Sequence, residues 1–228
     1  MKFFPVNENV DLQIEEILKK IRHLKDGETA GLMKKSGACY RVNYGVSVVH
    51  LKAMAQMLEP DNELARRLWY RGIRETMIMA TMVVDAGTMD NGELEEWGEI
   101  LNTIELSEQM GRNLLVSTNI SEDFLVSWLE KDNVFQRYAS AMSIGWRLRM
   151  NGEAGFRKFP GIISDLRNLT TDQRMHRAVA FALKMGGRFC ADYRPVVYKA
   201  IDDWSDKGEM WERKVAEDVR YELDAFTS

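Results

Sequence analysis

Four cations and one aromatic share a narrow arc in the segment "RMHRAVAFALKMGGR", residues 174–188. Wound at about 100° per residue, Arg174, Arg177, Phe181, Lys184 and Arg188 fall within roughly 80°, while Met175, Val179, Ala182 and Leu183 take the opposite side. Two readings fit this pattern. One is a solvated face on which a single Phe reaches a neighbouring helix. The other is a surface for a polyanion, where the cations meet phosphates and Phe181 stacks or wedges against a ligand ring.

Other chemistry is sparsely represented. His23, His50 and His176 are far apart, and none has a partner at metal-ligand spacing, so no metal is expected. Cys39 and Cys190 form neither a disulfide framework nor a CxxC pair, which suits a reducing compartment. The chain has no Gly-rich phosphate loop and no GxSxG elbow, so no cofactor is expected and most standard enzyme classes are disfavoured.

At 228 residues, with 45% hydrophobic and 29% charged side chains, the sequence describes an ordered globular protein. The apolar run "TMIMATMVV" (76–84) is too short to span a bilayer, and the N-terminus turns polar by Asn7 without an apolar signal core. A cytoplasmic protein without a membrane partner is expected. Net charge is −4, but residues 131–200 hold 13 Lys and Arg against 5 Asp and Glu, a charge of +8, and the rest carries −12. A basic segment inside an acidic chain is the footprint of a confined polyanion-binding face.

The elements that must carry this face read with helical period nearly throughout. Helices are expected over 11–26, 46–59, 61–72, 73–86, 91–103, 104–117, 121–132, 133–151, 156–169, 171–187, 192–206 and 210–224. Asp61 is placed to cap the third, the 73–86 helix is apolar enough to be internal, and the break before 104 carries no Gly or Pro. At least four of the six tryptophans are expected in packing positions. The Gly186–Gly187 pair reads either as a helix end or as an interior weakness. Pairs recur every 35 to 45 residues or so, the period of HEAT-type arrays. The expected fold is an all-α, right-handed, curved solenoid of helix pairs spanning 1–228 as one domain, with the stripe on its concave side.

In order and spacing, "YGVSVVHLKAMA" (44–55), "ELARRLWYRGIRETMIMATMVVD" (63–85), "WLEKDNVFQRYASAM" (128–142) and "RAVAFALKMGGR" (177–188) resemble the AlkD-like HEAT-repeat alkylpurine DNA glycosylases. In that family, excision is attributed to a Trp-Asp-x-x-Asp element, a later aromatic and cations gripping the DNA backbone. The resemblance places "IELSE" at that element, so Ile104 stands for the tryptophan, Glu105 for the first aspartate and Glu108 for the key carboxylate. Phe181 matches the later aromatic, and Arg137, Lys184 and Arg188 match the cations. Double-stranded DNA bound by a monomer through Arg137, Arg177, Lys184 and Arg188 is the implied partner.

Cleaving an N-glycosidic bond builds positive charge on the sugar, which a carboxylate such as Glu108 stabilises. A cationic alkylpurine leaves without a general acid. Ile104, however, offers no π-face to such a base, and Glu108 sets its carboxylate one methylene further out than aspartate would. Residues 75–111 contain nine acids and no Lys or Arg, so Glu105 and Glu108 also fit an acidic solvated face. Two functions therefore stand side by side. One is a DNA alkylation repair protein that excises cationic purines; the other is a noncatalytic scaffold for DNA or protein.

Overall fold

The computed structural model describes residues 2–227, and their regular structure is helical. The helices are α1 (Glu8–His23), α2 (Gly27–Lys35), α3 (Val48–Ala55), α4 (Asn62–Tyr70), α5 (Arg74–Val83), α6 (Asn91–Ile100) and α7 (Ile104–Gln109). They continue as α8 (Glu122–Leu129), α9 (Val134–Asn151), α10 (Ile163–Leu169), α11 (His176–Phe189), α12 (Arg194–Lys207) and α13 (Met210–Thr227). Among the described residues the one β-type pairing is an isolated bridge, Val42 to Ile73. The all-α expectation holds. No helix among the described residues is long and apolar enough to cross a membrane.

Polar side chains set most starts. Asn7, Asp26, Ser47, Asp61, Thr103, Ser121 and Asn133 each accept a backbone N–H from the first turn of the helix they precede. Such caps satisfy donors that have no intrahelical partner, each worth about 1 kcal/mol. Asp61 caps α4 as its position suggested, by accepting from Leu64 N at 2.9 Å. Thr103 supplies the boundary before α7 that no Gly or Pro marks. Helix α2 was not anticipated; it is short and buries no side chain, so it lacks the apolar stripe that periodicity detects.

The chain forms two compact units, one of residues up to Asp90 with Asn102–Thr118, the other of Asn91–Leu101 with residues from Asn119 onward. In the first, Ile14, Ile21, Leu51, Leu64, Leu68, Trp69 and Ile78 are fully buried. Nine of the ten residues of α5 are buried, as an inner helix requires, yet two of them are Arg74 and Glu75. Buried charges persist only when paired and hydrogen-bonded. Glu75, with no exposed surface, accepts from the backbone N–H of Tyr44 and Val46 and from Arg74 Nη1 at 3.0 Å. It thereby pins the 43–46 loop. Gly45 in that loop has φ 75°, and a Cβ there would stand 2.0 Å from the Asp26 carbonyl oxygen, so only glycine fits.

In the second unit Trp97, Trp128, Tyr138, Phe156 and Phe159 fill the interior. Helix α6 approaches closely because Gly98 has no side chain; a Cβ there would be 2.6 Å from the Trp128 ring. Glu95, on the same helix, accepts from Trp128 Nε1 at 2.9 Å and pairs with Lys131. Trp69, Trp97, Trp128 and Trp204 are all buried, which meets the expectation of at least four packing tryptophans. Gly186 and Gly187 lie inside α11 rather than ending it. Added Cβ atoms would meet Phe159 at 2.4 Å and Leu223 at 2.7 Å, so the pair admits close neighbours on two sides.

Candidate nucleic-acid interface

Helices α9 and α11 lie side by side in the second unit and run parallel. Arg174 stands 6.0 Å from the Phe135 ring at one end, and Arg149 stands 6.0 Å from the Phe189 ring at the other. Between them Phe181 packs on Gly145, where an added Cβ would be 2.5 Å from its ring, and tilts against Trp146 with centroids 5.3 Å apart. Arg149 covers the Trp146 ring at 5.0 Å. Arg188 continues the series over Phe189 at 5.2 Å and Phe226 at 3.4 Å. Rings and guanidinium groups thus alternate along the seam, an arrangement favoured by the negative face of the aromatic ring. Phe181 is therefore half-buried, with one side on α9 and the other toward solvent.

The cations of the seam differ in what already neutralises them. Lys184 is paired with Asp218 at 2.9 Å and Glu222 at 3.2 Å, both from α13, and its side chain is only 15% exposed. Arg188 pairs with Glu222 at 2.7 Å. Burial alone would push the Glu222 carboxyl up, but hydrogen bonds from Arg188 and Lys184 hold it below the usual carboxylate range. Arg174 is held by Asp172, and Arg177 is exposed. Arg149, also exposed, makes no hydrogen bond or ion pair among the described residues, although two rings fix its guanidinium. Arg137 likewise has no ion pair among the described residues, and its Nε is buried without a hydrogen-bond partner. It stands about 180° around α9 from Trp146, on a different face from the aromatic seam.

The carboxylates that sequence placed beside these cations belong to the first unit. Ile104 opens α7 and is 36% exposed. Glu105 accepts from Arg74 at 2.6 and 2.8 Å and from the Tyr40 hydroxyl at 2.9 Å. Burial and the Glu105 charge both push the Tyr40 hydroxyl well above its ordinary range, so it stays a donor. With Glu75 wholly buried and Glu105 tied to Arg74, those two acids are structural, not members of a solvated face. Glu108 is half-buried, one turn beyond Ile104, and is followed by a π-helical segment over Met110–Leu115. Among the described residues no group of three or more His, Cys, Asp or Glu is placed to hold a metal ion.

The family described as DNA alkylation repair enzyme matches residues 17–184, about three-quarters of the chain. The chain belongs to this family. No curated protein matches the sequence. A solved structure described as a new family of proteins related to the HEAT-like repeat DNA glycosylases with affinity for branched DNA structures is similar in fold. It has a TM-score of 0.76 at 18% identity, over 92% of this chain and 94% of that chain. The paired helices of this alkylation repair family member are therefore those of a HEAT-like array.

Sequence reasoning found Phe181 and the α11 cations but missed Phe135, Trp146, Arg149 and Phe189. Trp146 looked like one more packing tryptophan, because helical spacing alone cannot tell a seam facing a neighbour from one open to water. Arg149 had a usable signal: it follows Trp146 by three residues, the spacing at which a helical cation reaches a ring.

Proposed function

We propose that this member of the DNA alkylation repair family binds double-stranded DNA along the α9–α11 seam, with Phe181 and Trp146 against the nucleotides. Arg149 carries the reading: a guanidinium held by aromatic rings and left without an internal carboxylate is preorganised for phosphate. Arg177 adds to the basic face, Arg137 lies off it on another face of α9, and Lys184 and Arg188 reach phosphate by exchanging their α13 carboxylates. Phosphate contacts position DNA without specifying sequence, so binding is expected to be largely sequence-independent. The test is duplex binding by fluorescence anisotropy across a salt series. Arg149→Ala should reduce the log–log salt slope by about 0.9; an unchanged slope removes Arg149 from the interface.

A second reading, excision of a cationic purine, is favoured by one observation: Ile104 and Glu108 stand one turn apart on α7, with Ile104 at the surface. Water would add to the sugar carbon as the glycosidic bond breaks, the base taking the bonding electrons and leaving neutral, with Glu108 stabilising the sugar cation and the proton lost by the water passing to solvent. Release of free base from DNA containing 7-methylguanine tests it. Glu108→Gln should abolish release, and Ile104→Trp should raise it by supplying a π-face to the base. If neither the wild type nor a folded Ile104→Trp variant releases base, the noncatalytic DNA-binding reading stands alone.

A further inference from the structure

The ends of α11 and α13 and the start of α12 enclose a pocket of about 160 Å³, lined by Arg188, Phe189, Arg194, Tyr198, Leu223 and Phe226. It is smaller than the roughly 300–1,000 Å³ of pockets that enclose drug-sized ligands, so it suits a single ring system. Phe189 is 40% exposed and Phe226 61%, and large apolar groups clustered at water mark a binding surface.

The edges of the pocket's guanidinium groups are already used. Arg188 donates to Glu222, and Arg194 donates to the Gly187 carbonyl at 2.8 Å and the Arg188 carbonyl at 3.3 Å. Tyr198 donates to Asp224 at 3.0 Å. An acidic peptide would need those edges, and it would meet the charges of Glu222 and Asp224. What remains on offer is ring faces and guanidinium planes, which attract the face of another flat π-system. Arg149, whose guanidinium stands 6.0 Å from the Phe189 ring, keeps its own edge available for an anion attached to that π-system.

We propose that this pocket takes one unpaired nucleobase of DNA, stacked on Phe189 and Phe226, with an adjoining phosphate at Arg149. The inference rests on the chain binding DNA and adds a preference for ends that carry single-stranded nucleotides. Base–aromatic stacking tolerates any sequence, because every base has a π-face.

Three duplexes distinguish the outcomes by anisotropy with the full chain: blunt-ended, bearing a short oligothymidine overhang, and bearing an abasic overhang of equal length. The thymidine overhang should bind about tenfold tighter than the blunt duplex, and the abasic one should match the blunt duplex. Phe226→Ala and Phe189→Ala, both changes at exposed rings, should bring the thymidine-overhang and blunt affinities together; the ratio of the two is the readout, because these rings also hold Arg188 and Arg149. Abasic and thymidine overhangs binding alike would show a phosphate effect and overturn the pocket, as would variants that keep the preference. Blunt duplex bound without any overhang preference sinks the pocket alone, whereas failure to bind any of the three sinks the DNA-binding reading with it.

Discussion

Phe181 rests on Gly145, so close that a Cβ at position 145 would stand 2.5 Å from the ring and 3.3 Å from the Ala182 Cα. This contact explains a large aromatic within a basic stripe: α9 supplies a glycine floor, and Trp146 supplies a wall. Gly145→Ala should lift Phe181 off Trp146. Better helix propensity, about 1 kcal/mol, offsets overpacking of about 1–3 kcal/mol, so net destabilisation should stay below about 2 kcal/mol. The diagnostic is altered tryptophan fluorescence together with weaker duplex binding. Unaltered fluorescence would mean the ring had not moved.

Glu222 holds Lys184 and Arg188 against α13 and so competes with phosphate for both. Glu222→Gln should raise duplex affinity and steepen its salt dependence, while Lys184→Ala with Arg188→Ala should lower the slope by about 0.9 for each lost contact. Unchanged affinity in Glu222→Gln would place these cations outside the DNA path.

The same carboxylate makes the α11–α13 contact sensitive to acid. Its lowered value means that its stabilising contribution is full above about pH 4.3, the ordinary Glu range, and is lost as pH falls through the lowered value. Wild type should melt above Glu222→Gln at neutral pH, by about 1 kcal/mol of stability, and the two curves should converge in acid. A gap that persists at low pH would contradict this.

Arg74 joins Glu75 and Glu105 in one buried network. Arg74→Ala leaves the Glu75 charge without its cation in the interior and should cost about 3–5 kcal/mol. Glu105→Ala should cost less, about 1–3 kcal/mol, since Arg74 keeps Glu75. A thermal or urea melt reads both; a stable Glu105→Ala protein would return that carboxylate to the list of functional groups.

Every helix but α2, most of their starts and the cationic arc of α11 were legible in the sequence, because capping side chains, apolar period and stripe phase are local properties of the chain. The segment of high positive charge was legible for the same reason. Tertiary structure alone decided what each charge meets. Glu75 and Glu105 read as an acidic face until packing brought Arg74 and two backbone N–H groups to them. Lys184 and Arg188 read as free cations until α13, more than thirty residues later, laid Asp218 and Glu222 across them. Arg149 read as nothing until Trp146 and Phe189 met around it. Periodicity fixes which way a side chain points from its own helix, but only the packing of distant helices fixes whether water, a ring or an opposite charge waits there.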